Sequence, residues 1–156
     1  MSMSETLKAY LSQHDIDYDL VPHPKSYSSK EAARQAHVPD DHVAKAVVVK
    51  DGQGYAMVVI PGSYWLKLQA LKDESGRDFE LAEESDVDRL FSDCQPGAIP
   101  PVGPAYGLDA FLDERLTTLA NVYFEAGDHE NLVHLQGDVF NRLLSGVRHG
   151  HFSHDD

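Results

Sequence analysis

Cysteine is almost absent from this sequence of 156 residues, in which Cys94 stands alone. A single cysteine excludes a disulfide within the chain and fits a protein of the reducing cytosol. The neighbouring carboxylate of Asp93 disfavours a thiolate at this position. We therefore expect Cys94 to be an unreactive thiol and not a catalytic nucleophile.

Long apolar runs are also missing. The longest ones, residues 46–49 and 56–60, have the length of strands, whereas a membrane-spanning helix needs a run of roughly 18 apolar residues. The first five residues do not follow the basic-then-apolar order of a signal peptide. These observations predict one cytoplasmic domain without a membrane partner.

Basic residues are scarce in the second half of the chain. Residues 78–156 hold four Lys/Arg against sixteen Asp/Glu, whereas residues 1–77 hold nine against ten, so −12 of the net charge of −13 lies in the second half. Such a half repels a phosphate backbone at long range. Any contact with nucleic acid is expected from cations of the first half, namely Lys25, Lys30, Arg34, Lys45, Lys50, Lys67 and Lys72.

The sequence lacks three motifs that are typical of nucleotide-binding proteins and of hydrolases. It contains no P-loop, no Gly-x-Gly-x-x-Gly after a strand and no Gly-x-Ser-x-Gly elbow. His149, His151 and His154 lie in a polar tail where we expect them to be solvated, and no Cys/His pairing supports zinc. The sequence predicts no cofactor and no metal.

Two strand pairs and several short helices are predicted. Val43–Lys50 and Tyr55–Ile60 flank Asp51-Gly52-Gln53-Gly54, which is the clearest hairpin signal, and residues 118–126 and 131–135 form a second pair. Helices are expected at residues 29–36, 84–91, 111–116 and 139–144. Hairpins without βαβ units favour a single α+β domain with a mixed, largely antiparallel sheet over residues 1–148, followed by a disordered tail at 149–156.

A stiff loop is the first candidate for a binding site. Gly97-Ala98-Ile99-Pro100-Pro101 and the three residues after it combine two glycines and three prolines, which exclude a helix or a central strand. Its exposed backbone groups suit the gripping of a small polar ligand. The alternative is a rigid connection that packs its own apolar residues.

Three ionisable residues are further candidates. Lys45 is the one charge in an apolar strand run, so it either faces water or lines a pocket, where it would bind a phosphate or carboxylate. His23 lies between two prolines, where it either lines a site or makes the hydrogen bonds that a loop needs. His129 follows Asp128 in a predicted hairpin turn, where neighbouring residues seldom point at each other.

Together these segments resemble the YbaK/prolyl-tRNA-synthetase editing-domain superfamily. The resemblance is carried by His23, by Ser28 to Ala33, by Val43 to Val49 around Lys45, and by Gly97 to Pro101, in the expected order. It covers residues 5–144. The strand lysine and the Gly-x-x-x-Pro loop are specific only in combination.

The resemblance implies a free-standing aminoacyl-tRNA deacylase that hydrolyses mischarged tRNA, with a barrel-like sheet surrounded by helices. Its implied partners are the acceptor end of mischarged tRNA and, as a further candidate, an aminoacyl-tRNA synthetase. It implies that Lys45 contacts the 3′ end and takes part in catalysis together with Gly97 and Ala98. The implied substrate-binding residues are His23, Ser28, Ile99, Pro100, Pro101 and His129. A non-catalytic ligand-binding or protein-interaction module on the same fold is the alternative.

Overall fold

The computed structural model describes residues 3–26 and 28–155. Its helices are α1 (Glu5–Gln13), α2 (Ser29–Gln35), α3 (Leu68–Ser75), α4 (Glu84–Leu90) and α5 (Gly137–Leu143). Its strands are β1 (Asp19–Pro22), β2 (Val43–Asp51), β3 (Gly54–Pro61), β4 (Trp65–Leu66), β5 (Glu80–Leu81), β6 (Asp109–Asp113), β7 (Asn121–Glu125), β8 (Asn131–Gln136), β9 (Arg148–Gly150) and β10 (Ser153–His154). No helix of the described residues is long and apolar enough to cross a membrane.

An eight-stranded mixed sheet organises the domain. Its order is β1-β8-β7-β2-β3-β6-β9, with β5 paired to β2. The pairs β1–β8, β7–β8, β2–β3 and β2–β5 are antiparallel, and β2–β7, β3–β6 and β6–β9 are parallel. The predicted α+β class is confirmed. The sheet is open, however, with β1 and β9 at its ends, so the barrel-like closure implied by the resemblance is wrong.

The predicted first hairpin is confirmed by the register of β2 on β3. Lys45 lies opposite Ile60, and Asp51 lies opposite Gly54. The Asp51 carboxylate accepts hydrogen bonds from the amides of Gln53 and Gly54, which closes the turn. Gly54 has a φ of 141°, a region that glycine adopts without the penalty that a Cβ imposes.

The two faces of the sheet bury separate apolar clusters because side chains alternate along each strand. On β3, Met57 and Val59 belong to the larger cluster, which also holds Leu7 and Leu11 of α1. Ala56, Val58 and Ile60 of the same strand belong to a smaller cluster with Leu71 of α3. The sheet is therefore covered on both sides, so a side chain on either face can line a pocket between the sheet and the elements that cover it.

Two predicted segments differ in the structure. Residues 111–116, predicted as a helix, form the end of β6 and then a 3₁₀ segment, Glu114–Thr118. Phe111, Leu112 and Asp113 are all buried, so this strand lacks the alternation that would have identified it.

The prediction of a disordered tail at 149–156 is wrong for the residues that the structure describes. Residues 148–150 pair with β6, and Ser153 and His154 pair with β4. Phe152 between them is fully buried in the smaller cluster, with its ring 5.8 Å from that of Phe111. Burial of this one aromatic ring outweighs the polar composition around it.

We expect Phe152→Ala to lower the free energy of unfolding by roughly 3–5 kcal/mol, because it empties a fully buried aromatic site. His151→Ala, which removes a side chain 70% exposed, is the matched control and should leave stability close to wild type. Equilibrium denaturation measures both. Equal midpoints for wild type and Phe152→Ala would mean that the tail does not contribute to the core.

Candidate active site

The segment just before residues 97–101, here called the Gly97 loop, is hydrogen-bonded to the turn between β7 and β8. The Gln95 amide donates a 2.8 Å hydrogen bond to the Gly127 carbonyl. The His129 ring contacts the Pro96 carbonyl through Nε2. Since a carbonyl only accepts, Nε2 carries the proton in this contact. Two segments more than thirty residues apart are thus held together immediately before Gly97.

The chain after β1 joins the same turn from another side. Pro22 pairs with Asn131, after which the His23 amide donates to the Glu130 carbonyl at 2.9 Å. The Ser26 amide donates to the His129 carbonyl at 3.1 Å. Hydrogen bonds therefore bring His23, His129 and the Gly97 loop, three predicted site elements, around one turn.

His23 presents a defined ring chemistry. Its Nδ1 lies 2.7 Å from the Pro24 carbonyl, so Nδ1 carries the proton and the neutral ring has its lone pair on Nε2. That Nε2 atom is buried and has no hydrogen-bond partner among the described residues, and neither has the buried Ser26 Oγ. A buried acceptor of this kind is costly unless a ligand or water engages it.

The Gly97 loop offers two backbone donors to a ligand, the amides of Gly97 and Ile99, whereas that of Ala98 is not available. Gly97 has a φ of 83°, in the left-handed region that favours glycine. The amide of Ala98 donates to the Gln95 carbonyl at 3.0 Å, so it is already used, and its side chain is fully buried. Ala98 is therefore a turn residue and not a donor to substrate, whereas the amides of Gly97 and Ile99 make no hydrogen bond within the described part of the chain.

The loop lies along a groove of about 410 Å³ between β2 and α4. Pro100 and Pro101 are buried and make the loop rigid, while Gly97 is exposed. The groove is lined mainly by small and apolar residues, namely Ala46, Val48, Ala82, Val87, Pro96, Gly97 and Ile99, with Glu84 and Asp88 at its acidic side.

Lys45 precedes Ala46 of the groove but lies on the other face of β2, as alternation requires. Its Nζ donates to the Tyr64 carbonyl at 2.9 Å and lies 5.7 Å from the centroid of the Trp65 ring. Partial burial lowers the pKa of Lys45. No carboxylate pairs with it in the regions described, and it is not among the residues that line the groove beside Gly97.

Ser28 has a structural role. Its hydroxyl accepts a 3.1 Å hydrogen bond from the Glu31 amide and caps α2, which matches the predicted Ser-x-x-Glu spacing. The side chain is exposed and borders a second groove, of about 480 Å³, that Lys30 and Arg34 also line.

Glu125 is a buried ionisable residue at this turn that sequence reasoning missed. It ends β7 directly before the turn and is 1% exposed, and neither carboxylate oxygen has a hydrogen-bond partner among described residues. Burial, reinforced by the nearby Asp128 carboxylate, raises the pKa of Glu125 to about 8. An acid between Phe124 and Ala126 was the available signal, the same one that singled out Lys45.

Cys94 is a partly buried free thiol. Burial raises the pKa of its thiol to about 12, and the adjacent Asp93 contributes in the same direction. Within the described residues, no group of three His, Cys, Asp or Glu side chains is arranged to hold a metal ion.

Comparison with known proteins identifies relatives of this domain. The family model of the aminoacyl-tRNA editing domain matches residues 23–143, which include the turn, the loop and both histidines. The proline–tRNA ligase of Thiobacillus denitrificans is 28% identical over 122 residues, and that of Xanthomonas campestris pv. campestris (strain 8004) is 26% identical over the same length. Each match covers 78% of this chain and 21% of the ligase, so the chain spans about a fifth of these relatives.

Solved structures share the fold. A hypothetical protein, APE2540, superposes with a TM-score of 0.84 at 23% identity, covering 96% of this chain and 100% of that one. The structure of "a putative trans-editing enzyme for prolyl tRNA synthetase" superposes with a TM-score of 0.80 at 22% identity, covering 97% and 96%.

The raised pKa of Glu125 predicts a specific dependence of stability on pH. Below pH 4.5 the carboxyl is neutral in both states, and between 4.5 and about 8 it ionises only in the unfolded chain. The free energy of unfolding should therefore fall as pH rises through this window, by an amount on the order of a few kcal/mol.

Glu125→Gln removes the ionisation and should flatten this fall when denaturation is measured from about pH 5 to about pH 8. The control Glu74→Gln changes an exposed side chain on α3 and should keep the wild-type slope. A Glu125→Gln slope equal to that of wild type would contradict the assignment.

Proposed function

Because the chain belongs to the aminoacyl-tRNA editing-domain family, we propose that it hydrolyses mischarged aminoacyl-tRNA in trans. The observation that carries this proposal is the set of hydrogen bonds at the β7–β8 turn. These bonds bring His23, His129 and the Gly97 loop together, and all three lie inside the matched segment. The relatives that contain the domain are proline–tRNA ligases, which supports a tRNA substrate.

The proposed reaction is attack of water on the ester carbonyl of the aminoacyl group. The carbonyl oxygen becomes an oxyanion, which the amides of Gly97 and Ile99 stabilise by hydrogen bonding. The tetrahedral intermediate then expels the ribose oxygen, which takes up a proton. An aminoacyl ester is already activated, so positioning and oxyanion stabilisation supply most of the needed catalysis, and no protein nucleophile is required.

We assign proton acceptance from the attacking water to His23. Its Nδ1 is engaged by the Pro24 carbonyl, which leaves the Nε2 lone pair as the basic atom. His129 acts differently, because its Nε2 contact with Pro96 positions the loop that carries the oxyanion donors. A neighbouring ribose hydroxyl of the substrate helps to orient the water.

Lys45 receives the acceptor end in this proposal. An ammonium that is half-buried and lacks a carboxylate partner within the described chain favours an anionic ligand such as a phosphate. With −12 of the net charge in the second half, the cations of the first half make the contacts, so binding of tRNA should be weak and sensitive to salt. We further propose a cytoplasmic location and a synthetase as a partner that supplies the mischarged tRNA.

The second candidate is a module on the same fold that binds an acyl or nucleotide ligand without hydrolysing it. The mainly apolar lining of the groove beside Gly97 favours this function. A cation without a carboxylate partner at Lys45 favours the enzyme. Hydrolysis assays separate the two.

A deacylation screen across mischarged tRNAs tests the proposal. We expect turnover of at least one of them, and a loss of about tenfold or more for Lys45→Ala, which is the effect of removing one charge-assisted hydrogen bond. Arg148→Ala, which changes an exposed cation on β9 in the second half of the chain, is the control and should keep the wild-type rate. A folded wild-type protein that hydrolyses none of the substrates would favour the binding module.

Gly97→Ala tests the loop separately. A Cβ in the left-handed region costs about 1–2 kcal/mol, so the variant should either lose stability or shift the loop and its donors. The matched control is Gly107→Ala, at a φ of 72° with open space around the added Cβ. We expect comparable losses of stability from both variants but a loss of kcat only from Gly97→Ala. Equal activity per folded molecule would make the loop a scaffold.

A further inference from the structure

Trp65 is an aromatic residue without an evident structural purpose. It is the only tryptophan of the chain and is 64% exposed, more than any other large apolar side chain of the described residues. Burial normally stabilises such a ring by several times the thermal energy, so the exposed indole leaves a large apolar face available to a ligand.

The backbone beneath Trp65 is held firmly. Trp65 pairs with His154 and Leu66 pairs with Ser153, and the Lys67 amide donates a 2.7 Å hydrogen bond to the Phe152 carbonyl. Leu66 packs on the smaller cluster, so alternation along β4 directs the indole away from it. The ring is therefore displayed from an ordered ribbon.

Cations surround this aromatic surface in a protein of net charge −13. The Lys45 ammonium lies 5.7 Å from the indole centroid, and the Arg115 guanidinium lies 5.2 Å from the ring of the preceding Tyr64. Arg115 also pairs at 3.4 Å with Asp113, a fully buried carboxylate that accepts from Phe152 and Ser153 as well. Lys45 has no such acidic partner in the described regions.

We infer that Trp65 stacks on an unpaired base at the 3′ end of the acceptor, while Lys45 binds a phosphate of the same strand. The inference rests on the proposed function and deepens it. An aromatic face beside a cation is the combination that binds single-stranded nucleic acid without reading its sequence. A hydrophobic partner surface fits less well, because Lys45 lies at the indole and Arg115 at the ring of the preceding Tyr64.

This arrangement gives the acceptor end a route to the loop. Lys45 and Ala46 are consecutive on β2, and Ala46 lines the groove that contains Gly97 and Ile99. Lys45 and the groove lie on opposite faces of the sheet, but β2 pairs with β7 only at residues 43–44 and with β5 only at residues 49–50, so residues 45–48 have no strand partner on that side among the described residues. A strand held at Trp65 and Lys45 would reach the groove over this open edge of β2. Stacking then fixes the position of the ester through contacts distant from the reacting atoms.

Because Trp65 is the sole tryptophan, its fluorescence reports on the site directly. We expect the ribotrinucleotide CCA, carrying no amino acid, to change the emission of the wild-type protein saturably. A CCA analogue that lacks the terminal base should bind more weakly. Trp65→Leu should weaken binding of 5′-fluorescein-labelled CCA, measured by anisotropy, by roughly 5- to 150-fold, the range expected for one stacked base.

Two matched variants make the test specific. Trp65→Phe keeps an aromatic face and should recover part of the affinity, while Leu81→Ala removes another exposed apolar side chain, on β5, and should change nothing. Equal affinities for wild type and Trp65→Leu, or for CCA and its analogue without the base, would overturn the inference. A fluorescence change that depends on protein concentration alone would also overturn it and indicate contact between two copies of the chain.

The outcomes separate this inference from the proposed function. Deacylation by wild type together with unchanged deacylation and CCA binding in Trp65→Leu would leave the function standing and remove the stacking role. Binding of CCA that requires Trp65, without hydrolysis of any mischarged tRNA, would support the stacking site and contradict the enzyme.

Discussion

The short turn after β7 is the constraint on which the rest of the site depends. It receives the amide of Ser4 at Ala126, the amide of Gln95 at Gly127 and the amide of Ser26 at His129. Each of these bonds ends a different segment of the chain. Without these bonds, nothing in this turn would fix the position of the Gly97 loop relative to the segment that contains His23.

The turn is itself held by Asp128. Its carboxylate accepts from the amides of Glu130 and Asn131 and from the Asn131 side chain, at 2.7 to 3.0 Å. These bonds offset the cost of the left-handed conformation of His129, whose φ is 62°. Strain of this kind persists where surrounding contacts determine it, and here it directs the His129 ring at the Pro96 carbonyl.

Two ionisable residues follow directly after the point where the pairing of β2 and β7 ends. The last pair is Ala44 with Phe124, so Lys45 and Glu125 both follow one residue later. Burial shifts both groups toward neutrality, lowering the pKa of Lys45 and raising that of Glu125. Neither group has an ionic partner of opposite charge among the described residues, so burial alone sets the direction of the Lys45 shift, and burial with Asp128 sets that of Glu125.

Local sequence determined the hairpins, most helices and the cap at Ser28, because turn residues, periodicity and capping act within a few positions along the chain. It also marked Lys45, His23, His129 and the Gly97 loop as unusual. Tertiary structure alone decided that the Ala98 amide donates to the Gln95 carbonyl and that burial of Phe152 orders the tail. It also decided that Asp109–Asp113 is a strand and that Glu125 is buried without a hydrogen-bond partner among the described residues. Those outcomes depend on which distant segments supply apolar surface and hydrogen-bonding groups, and a linear pattern does not carry that information.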